Sequence, residues 1–263
     1  MFYLNKYSNL FILLREDNFV GKVLKNKSTN HKKFLKNSIL IYGKHSALAA
    51  LSNKNRCIKK IYLTENNNSI EESILRIISL TKGKANIERV NNKLIEKLIG
   101  KKVKHQGVLL IANKLRQNSA EEIFKKVDYK VGVVLDKVTD PNNVGAIYRS
   151  ANCFKIDFIL NLEKGAVKES STLLSSACGA FEAIDSYYST NLISILKKFK
   201  SQGWWILGAD VNAELSINKF FSLHSDIKKL LIILGSEGSG VRRLTKLNCD
   251  FLASIPVNKK FSL

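Results

Sequence analysis

From residue 131 to the end of the sequence, short runs of nearly unbroken apolar residues alternate with stretches of helical composition. No other feature restricts the fold as much. The spacing predicts strands over 131–135, 157–160, 204–208, 230–234 and 251–255, and helices over 144–154, 170–181, 192–200 and 241–247. A strand that is apolar on both sides must be covered on both sides. A helix between successive strands returns the chain so that neighbouring strands run parallel. The expected class is therefore α/β, a parallel sheet with helices on both faces. Ligands of such sheets sit beyond the carboxyl ends of the strands, so a site is expected in the loops after Leu135, Leu234 and Ile255.

A smaller α/β block comes first. Ile39-Leu-Ile-Tyr-Gly43 reads as a strand, 46–51 as a short helix with Ser46 available as its cap, and 60–64 as a second strand. Residues 69–80 carry a helical apolar stripe with Glu71 and Glu72 in the first turn, and 108–112 read as a buried strand. The expected organisation is a basic extension over 1–37, this block over 38–113, a polar connector with room for a short helix over 114–130, and the sheet domain over 131–263. No apolar run exceeds five residues, where about 20 are needed to span a bilayer, which excludes a channel or transporter. Residues 2–14 run into Arg15-Glu16-Asp17 without a small-residue cleavage site, so no signal peptide is expected. Cys57, Cys153, Cys178 and Cys249 are far apart and the four histidines are scattered, so neither a disulfide framework nor a metal site is expected. Buried thiols in a reducing cytoplasm are the expectation.

Charge adds a partner class. The chain holds 43 Lys and Arg against 22 Asp and Glu, a formal net charge of +21. Part of the lysine excess fits an AT-rich coding sequence, since Asn and Ile are abundant too, but codon bias does not place charge unevenly. Residues 1–129 hold 26 basic and 10 acidic residues, whereas 130–263 hold 17 and 12. A basic front half beside a nearly balanced rear half suits a polyanion-gripping module joined to something else; a solvated lysine-rich surface is the alternative. The extension over 1–37, with eight basic and two acidic residues, is read as a flexible arm that touches phosphates or stands idle.

All three loops at the expected rim are unusual. After the first strand comes Asp136-Lys-Val-Thr-Asp-Pro-Asn-Asn-Val-Gly-Ala-Ile-Tyr-Arg-Ser-Ala151. Pro141 fixes the turn, Asn143 can cap the next helix, and Gly145 lets another backbone approach its first turn. Arg149 lies less than two helical turns further on and can point back to the rim; a capped helix with a surface arginine is the plain alternative. The second loop, Gly235-Ser-Glu-Gly-Ser-Gly-Val-Arg242, is glycine-rich but has no Lys-Ser/Thr after its last glycine, so it is not a Walker loop. The third opens with Ser254-Ile-Pro256, and the chain's only two prolines, Pro141 and Pro256, thus both follow strands at this edge.

Asp140–Ala151, Gly235–Arg242 and Ser254–Pro256 resemble motifs one, two and the opening of three in the SpoU (TrmH) family of RNA ribose 2′-O-methyltransferases, of the SPOUT class. Ala177-Cys-Gly-Ala-Phe-Glu182 is similar to the segment between them. Ile41-Tyr-Gly-Lys-His-Ser-Ala47 and His105-Gln-Gly-Val108 resemble that family's substrate-binding domain. The likeness covers roughly residues 39–263 and is greatest to the branch that modifies ribosomal RNA, with transfer RNA enzymes sharing the motifs. It implies a trefoil-knotted domain that binds S-adenosylmethionine, a homodimer, a cytoplasmic setting, and methyl transfer to a ribose 2′-hydroxyl. Carried over by motif, Asn143 and Arg149 would line the catalytic pocket with Glu237 holding its geometry. Gly235, Ile255 and Leu263 would contact the cofactor. The family assigns the matching arginine as base. A guanidinium keeps its proton in proteins, so orienting a phosphate and stabilising the emerging alkoxide is the role its chemistry suits. The front block would grip RNA, with Lys101, Lys102 and Lys104 either on phosphates or in a solvated turn.

The family's third motif normally continues past Ser-Leu into Asn-Val-Ser-x-Ala and a final helix that closes the knot, whereas this sequence ends at Phe261-Ser262-Leu263. The resemblance thus implies a domain without its knot-closing helix. The alternative function is accordingly an RNA-binding protein without catalysis, or an inactive remnant.

Overall fold

A computed structural model of the chain describes residues 38–65, 67–81 and 86–256. The basic extension over 1–37 and Leu263 lie outside them. Two sheets organise the rest. The first is built from β1 (Ser38–Tyr42), β2 (Ile58–Thr64), β3 (Ile87–Val90) and β4 (Val108–Asn113) in the order β1-β4-β2-β3. Its helices are α1 (Lys44–Ser52), α2 (Asn68–Thr81) and α3 (Asn92–Ile99). Strand β2 pairs antiparallel with β4 and parallel with β3. Neither β3 nor α3 was expected. In β3, Glu88 is ion-paired with Lys60, and on the other face Arg89 Nη2 lies 2.5 Å from Glu71 Oε2. A strand held partly by ion pairs has no apolar alternation to read. Ser46 does not cap α1. The residue before the helix is Gly43, and Ser46 is buried inside it, donating its Oγ to the Leu174 carbonyl at 3.0 Å.

The second sheet has seven strands: β5 (Asn118–Ser119), β6 (Val131–Asp136), β7 (Phe158–Leu162), β8 (Asp185–Ser189), β9 (Trp205–Ala209), β10 (Leu230–Gly235) and β11 (Phe251–Ala253). Their order is β11-β9-β10-β6-β7-β8-β5, and every adjacent pair is parallel. This is the parallel α/β sheet the apolar runs predicted. Segment 114–130 supplies the two-residue edge strand β5 and a 3-10 helix, Ala120–Lys125, closed by a Ser119–Glu122 capping box. Helix α4 (Pro141–Cys153) links β6 to β7, and α7 (Leu192–Ser201) links β8 to β9. Helix α8 (Ile217–Leu223), between β9 and β10, was not expected, and α9 is only Arg243–Lys246.

The helix expected over 170–181 is broken into α5 (Ser171–Ala177) and α6 (Ala180–Ala183). Cys178 and Gly179 between them take left-handed backbone, φ 50° and 92°. A Cβ on Gly179 would lie 2.7 Å from the Ala49 Cβ and 3.1 Å from the His45 carbonyl, so α1 packs directly on the break. One apolar core runs across this contact, from Ile41, Ala47 and Ile74 to Val133, Tyr148, Leu174 and Phe181. A second fills the opposite face of the large sheet around Phe158, Leu196, Phe199 and Trp204. The expectation of buried thiols fails for three of the four cysteines. Cys57 precedes β2, Cys153 ends α4 and Cys178 caps α5, all on the exterior. Cys249 alone is half-buried, and burial pushes its thiol up to about 12.

Candidate active site

Strand β6 is apolar until its last residue, Asp136, which is fully buried. A carboxylate in that position needs partners, and both come from the second loop. Arg242 donates from Nε to Asp136 Oδ1 at 2.6 Å and from its backbone N–H to Oδ2 at 3.1 Å. The tether explains why α9 starts only at Arg243, later than the sequence suggested. Asp136 was not singled out in the sequence, although a lone acid ending an apolar run was the available signal.

The cap of α4 is Asp140, not Asn143. Asp140 Oδ1 accepts from the backbone N–H of Asn142 at 2.7 Å and of Asn143 at 3.0 Å, with Pro141 in the first turn where no donor is lost. Because Asp140 does the capping, the Asn143 side chain is free to reach across. Its Nδ2 donates to Glu237 Oε2 at 3.2 Å, joining the first loop to the second. Asn142 Oδ1 accepts from Ser176 Oγ at 2.9 Å, which ties the helix start to α5. Gly145 does admit a backbone: a Cβ there would fall 2.5 Å from the Ser176 Cβ and 2.9 Å from the Ala177 nitrogen.

Gly235 stands opposite Asp136 in the β10–β6 register. The loop after it folds back on itself, with Ser236 N–H donating to the Gly240 carbonyl at 3.2 Å and Gly240 N–H to the Ser236 carbonyl at 2.9 Å. A Cβ on Gly235 would sit 2.0 Å from the Gly240 carbonyl carbon, so glycine is required here to close the loop. Gly238 at the tip has nothing within 4 Å of such a Cβ, and its backbone is open. The third loop leaves β11 alongside the β9–α8 connection. Asp210 N–H donates to the Ala253 carbonyl at 3.0 Å, Ser254 N–H to Leu215 at 2.8 Å, and Ile217 N–H to Ser254 at 2.8 Å. Ile255 follows, 60% exposed.

Asn143 and Glu237 are thus brought together, with Gly235 at the base of the same loop. Arg149 is exposed on α4 and makes no hydrogen bond or ion pair among the described residues. Six residues place it about 9 Å along the helix from Asn143, and nothing described joins it to the Asn143–Glu237 pair. Lys101, Lys102 and Lys104 are exposed in the turn between α3 and β4, without ion-pair partners among the described residues. That turn runs into Gln106, whose Oε1 accepts from the Lys44 N–H at 2.9 Å, so the two front segments that carry the resemblance meet.

A buried triad was also missed. Arg56, its side chain fully buried, lies 2.5 Å from both Glu169 Oε1 and Glu182 Oε1 and donates to the Asn113 carbonyl at 2.8 Å. Asn53 Nδ2 donates to Glu182 Oε2 at 2.7 Å, and Leu115 N–H to Glu169 Oε2 at 2.9 Å. Burial holds the Glu169 carboxyl above the usual carboxylate range, opposed by Arg56. Among the described residues no cluster of three or more His, Cys, Asp or Glu could hold a metal ion.

S-Adenosylmethionine needs an apolar face for its adenine and backbone donors and acceptors around it. The uncovered Ile255 and the open backbone at Gly238 fit those needs, whereas Gly235 serves the loop's own closure.

Comparison with known proteins sets this architecture among RNA methyltransferases. The model of the SpoU rRNA Methylase family matches residues 130–263, and that of the RNA 2′-O ribose methyltransferase substrate-binding domain matches 40–118. The chain belongs to the SpoU family. A 23S rRNA (guanosine-2′-O-)-methyltransferase of Coxiella burnetii is 34% identical over 230 residues, 82% of this chain and 86% of that protein. An uncharacterized tRNA/rRNA methyltransferase of Borreliella burgdorferi is 34% identical over 185 residues, 66% of this chain and 78% of the other. The fold matches the crystal structure of the SpoU methyltransferase AviRb from Streptomyces viridochromogenes in complex with AdoMet. The TM-score is 0.70 at 17% identity, covering 95% of this chain and 92% of that one.

Proposed function

We propose that this protein transfers a methyl group from S-adenosylmethionine to a ribose 2′-hydroxyl of ribosomal RNA, the substrate class named for the Coxiella burnetii relative. The observation that carries the reading is the Asn143–Glu237 hydrogen bond, which unites the first two motifs at the carboxyl edge of a parallel sheet. The cofactor, when bound, supplies an electrophilic methyl group on sulfonium. Ile255 and the backbone of the glycine loop would hold it, with Leu263 the third contact that the family motif implies. Glu237 fixes the Asn143 amide, which then presents a defined polar edge to the target ribose. Arg149, unpaired and exposed, orients the phosphate beside the target and offsets negative charge as the hydroxyl oxygen gains the methyl group and gives up its proton to solvent. Lys101, Lys102 and Lys104 hold RNA phosphates further off.

The proposal extends to a trefoil knot, a homodimer and the cytoplasm, where ribosomal RNA is found. The hydrogen bonds of Ala253 and Ser254 to the 210–217 connection support the knot, because they seat the chain leaving β11 against a crossover loop.

The test supplies methyl-labelled S-adenosylmethionine and unmodified 23S rRNA made by transcription. Alkali-resistant label is expected with the unaltered chain. Arg149→Ala should lose at least 100-fold in rate, of the order that removal of one preorganised donor costs. A folded chain that binds the RNA yet transfers no label would favour the non-catalytic reading.

A further inference from the structure

An open cavity of about 580 Å³ lies at the carboxyl ends of β6, β7 and β8, and the proposed chemistry does not use it. We propose that it seats a phosphate-bearing nucleotide of the RNA strand next to the target; this rests on the function proposed above. The end of the second loop at Arg242 borders it, but Gly238 and Ile255, which would hold S-adenosylmethionine, do not. Lys137, Lys164, Arg242 and Arg243 line it, and no Asp or Glu does. The side chains of Lys137, Lys164 and Arg243 make no ion pair or hydrogen bond among the described residues. Arg242 commits only its Nε to Asp136, which fixes the guanidinium and leaves both terminal nitrogens for a ligand. Its charge is balanced by Asp136, so three uncompensated cations remain.

A backbone feature lies beside these cations. Lys137 holds left-handed backbone, φ 61°, immediately after β6, a conformation uncommon for a residue other than glycine.

The same features select the ligand. S-Adenosylmethionine carries a net positive charge and is repelled by three unpaired cations, whereas each phosphodiester brings one negative charge. A free phosphate would leave most of the volume empty, and Leu192, Ile193 and Leu244 offer apolar surface suited to a ribose or base. The volume lies within the range of pockets that hold a small organic ligand, about 300–1,000 Å³.

The test compares the full chain with Lys164→Gln/Arg243→Gln, both exposed positions where folding should be unaffected. Affinity for unmodified 23S rRNA is measured across a salt series, and S-adenosylmethionine and inorganic phosphate binding by calorimetry. Expected for the double variant are about tenfold weaker RNA binding near physiological salt and a log–log salt slope shallower by roughly 1.4, for two phosphate contacts on single-stranded RNA. S-Adenosylmethionine affinity should not change. Lys164→Glu should weaken RNA binding further. Loss of S-adenosylmethionine binding with RNA affinity intact would make the cavity the cofactor's seat and overturn the proposal. Loss of phosphate binding alone would mark a free-anion site and also overturn it. So would no change in any quantity while the unaltered chain binds and methylates RNA. If the unaltered chain takes up neither RNA nor cofactor, the proposed function itself fails and this inference falls with it.

Discussion

Replacing Arg56 by Met should be among the most damaging single changes in the chain. The guanidinium is fully buried between Glu169 and Glu182, whose side chains are 8% and 3% exposed. Methionine fills a similar volume but leaves two carboxylates buried without their cation. Removing one partner of a buried ion pair costs about 3–5 kcal/mol, a large share of the roughly 5–15 kcal/mol that holds a domain folded. For a unit of this size each kcal/mol moves the midpoint about 2–4 °C, so a fall of about 6–20 °C is expected. Urea and thermal unfolding read the loss directly. The informative comparison is the triple variant Arg56→Met/Glu169→Gln/Glu182→Gln, in which the charge left behind is removed as well. If the penalty comes from uncompensated carboxylates, the triple variant recovers most of the stability. The reasoning fails if Arg56→Met costs less than about 1 kcal/mol, or if the triple variant is no more stable than the single one.

Two more outcomes follow from the packing and from the same triad. Gly145→Ala puts a Cβ against the Ser176 Cβ and the Ala177 nitrogen, where backbone cannot yield, so urea unfolding should show a loss of about 1–3 kcal/mol; Gly238→Ala, with open space around it, should change stability by less than about 0.5 kcal/mol. Burial holds the Glu169 carboxyl above its ordinary value, so this group stabilises the fold fully below about pH 4.5 and loses that contribution as pH rises through its raised folded value. Glu169→Gln should therefore gain on the unaltered chain as pH rises through the carboxylate range, and a pH-independent difference in urea unfolding would count against this account.

How far the sequence could be read depended on what each element packs against. Strands β6, β7, β9 and β10 are legible because their neighbours demand apolar residues on both faces. Strand β8 is Asp-Ser-Tyr-Tyr-Ser, and its polar positions gave no signal, yet Tyr187 packs edge-on to Phe158 inside the core. The break after Ala177 was hidden because its cause, Ala49 of α1, is remote in sequence. At the site, the three loops were visible as departures from the strand–helix rhythm, but their internal wiring was not. Asn143 and Asp140 are both good caps by residue type; only the observed turn, with Pro141 following the cap, decides for Asp140. Glu182 stood out in a motif, whereas its partner Arg56, 126 residues earlier, lies in a segment with no pattern of its own.

The apolar core that passes without interruption from the small sheet to the large one bears on how the chain comes apart. Two modules tied by a linker melt in two steps, and each can be expressed alone. Here Ile41 and Leu174 belong to one packed cluster, so neither part can loosen without opening the other to water. A calorimetric scan should then record one endotherm rather than two, and a fragment cut between the sheets would carry half of that core as bare surface into an aggregate. If the basic front takes RNA as proposed, strain applied there would pass through the same cluster to the helices of the large sheet.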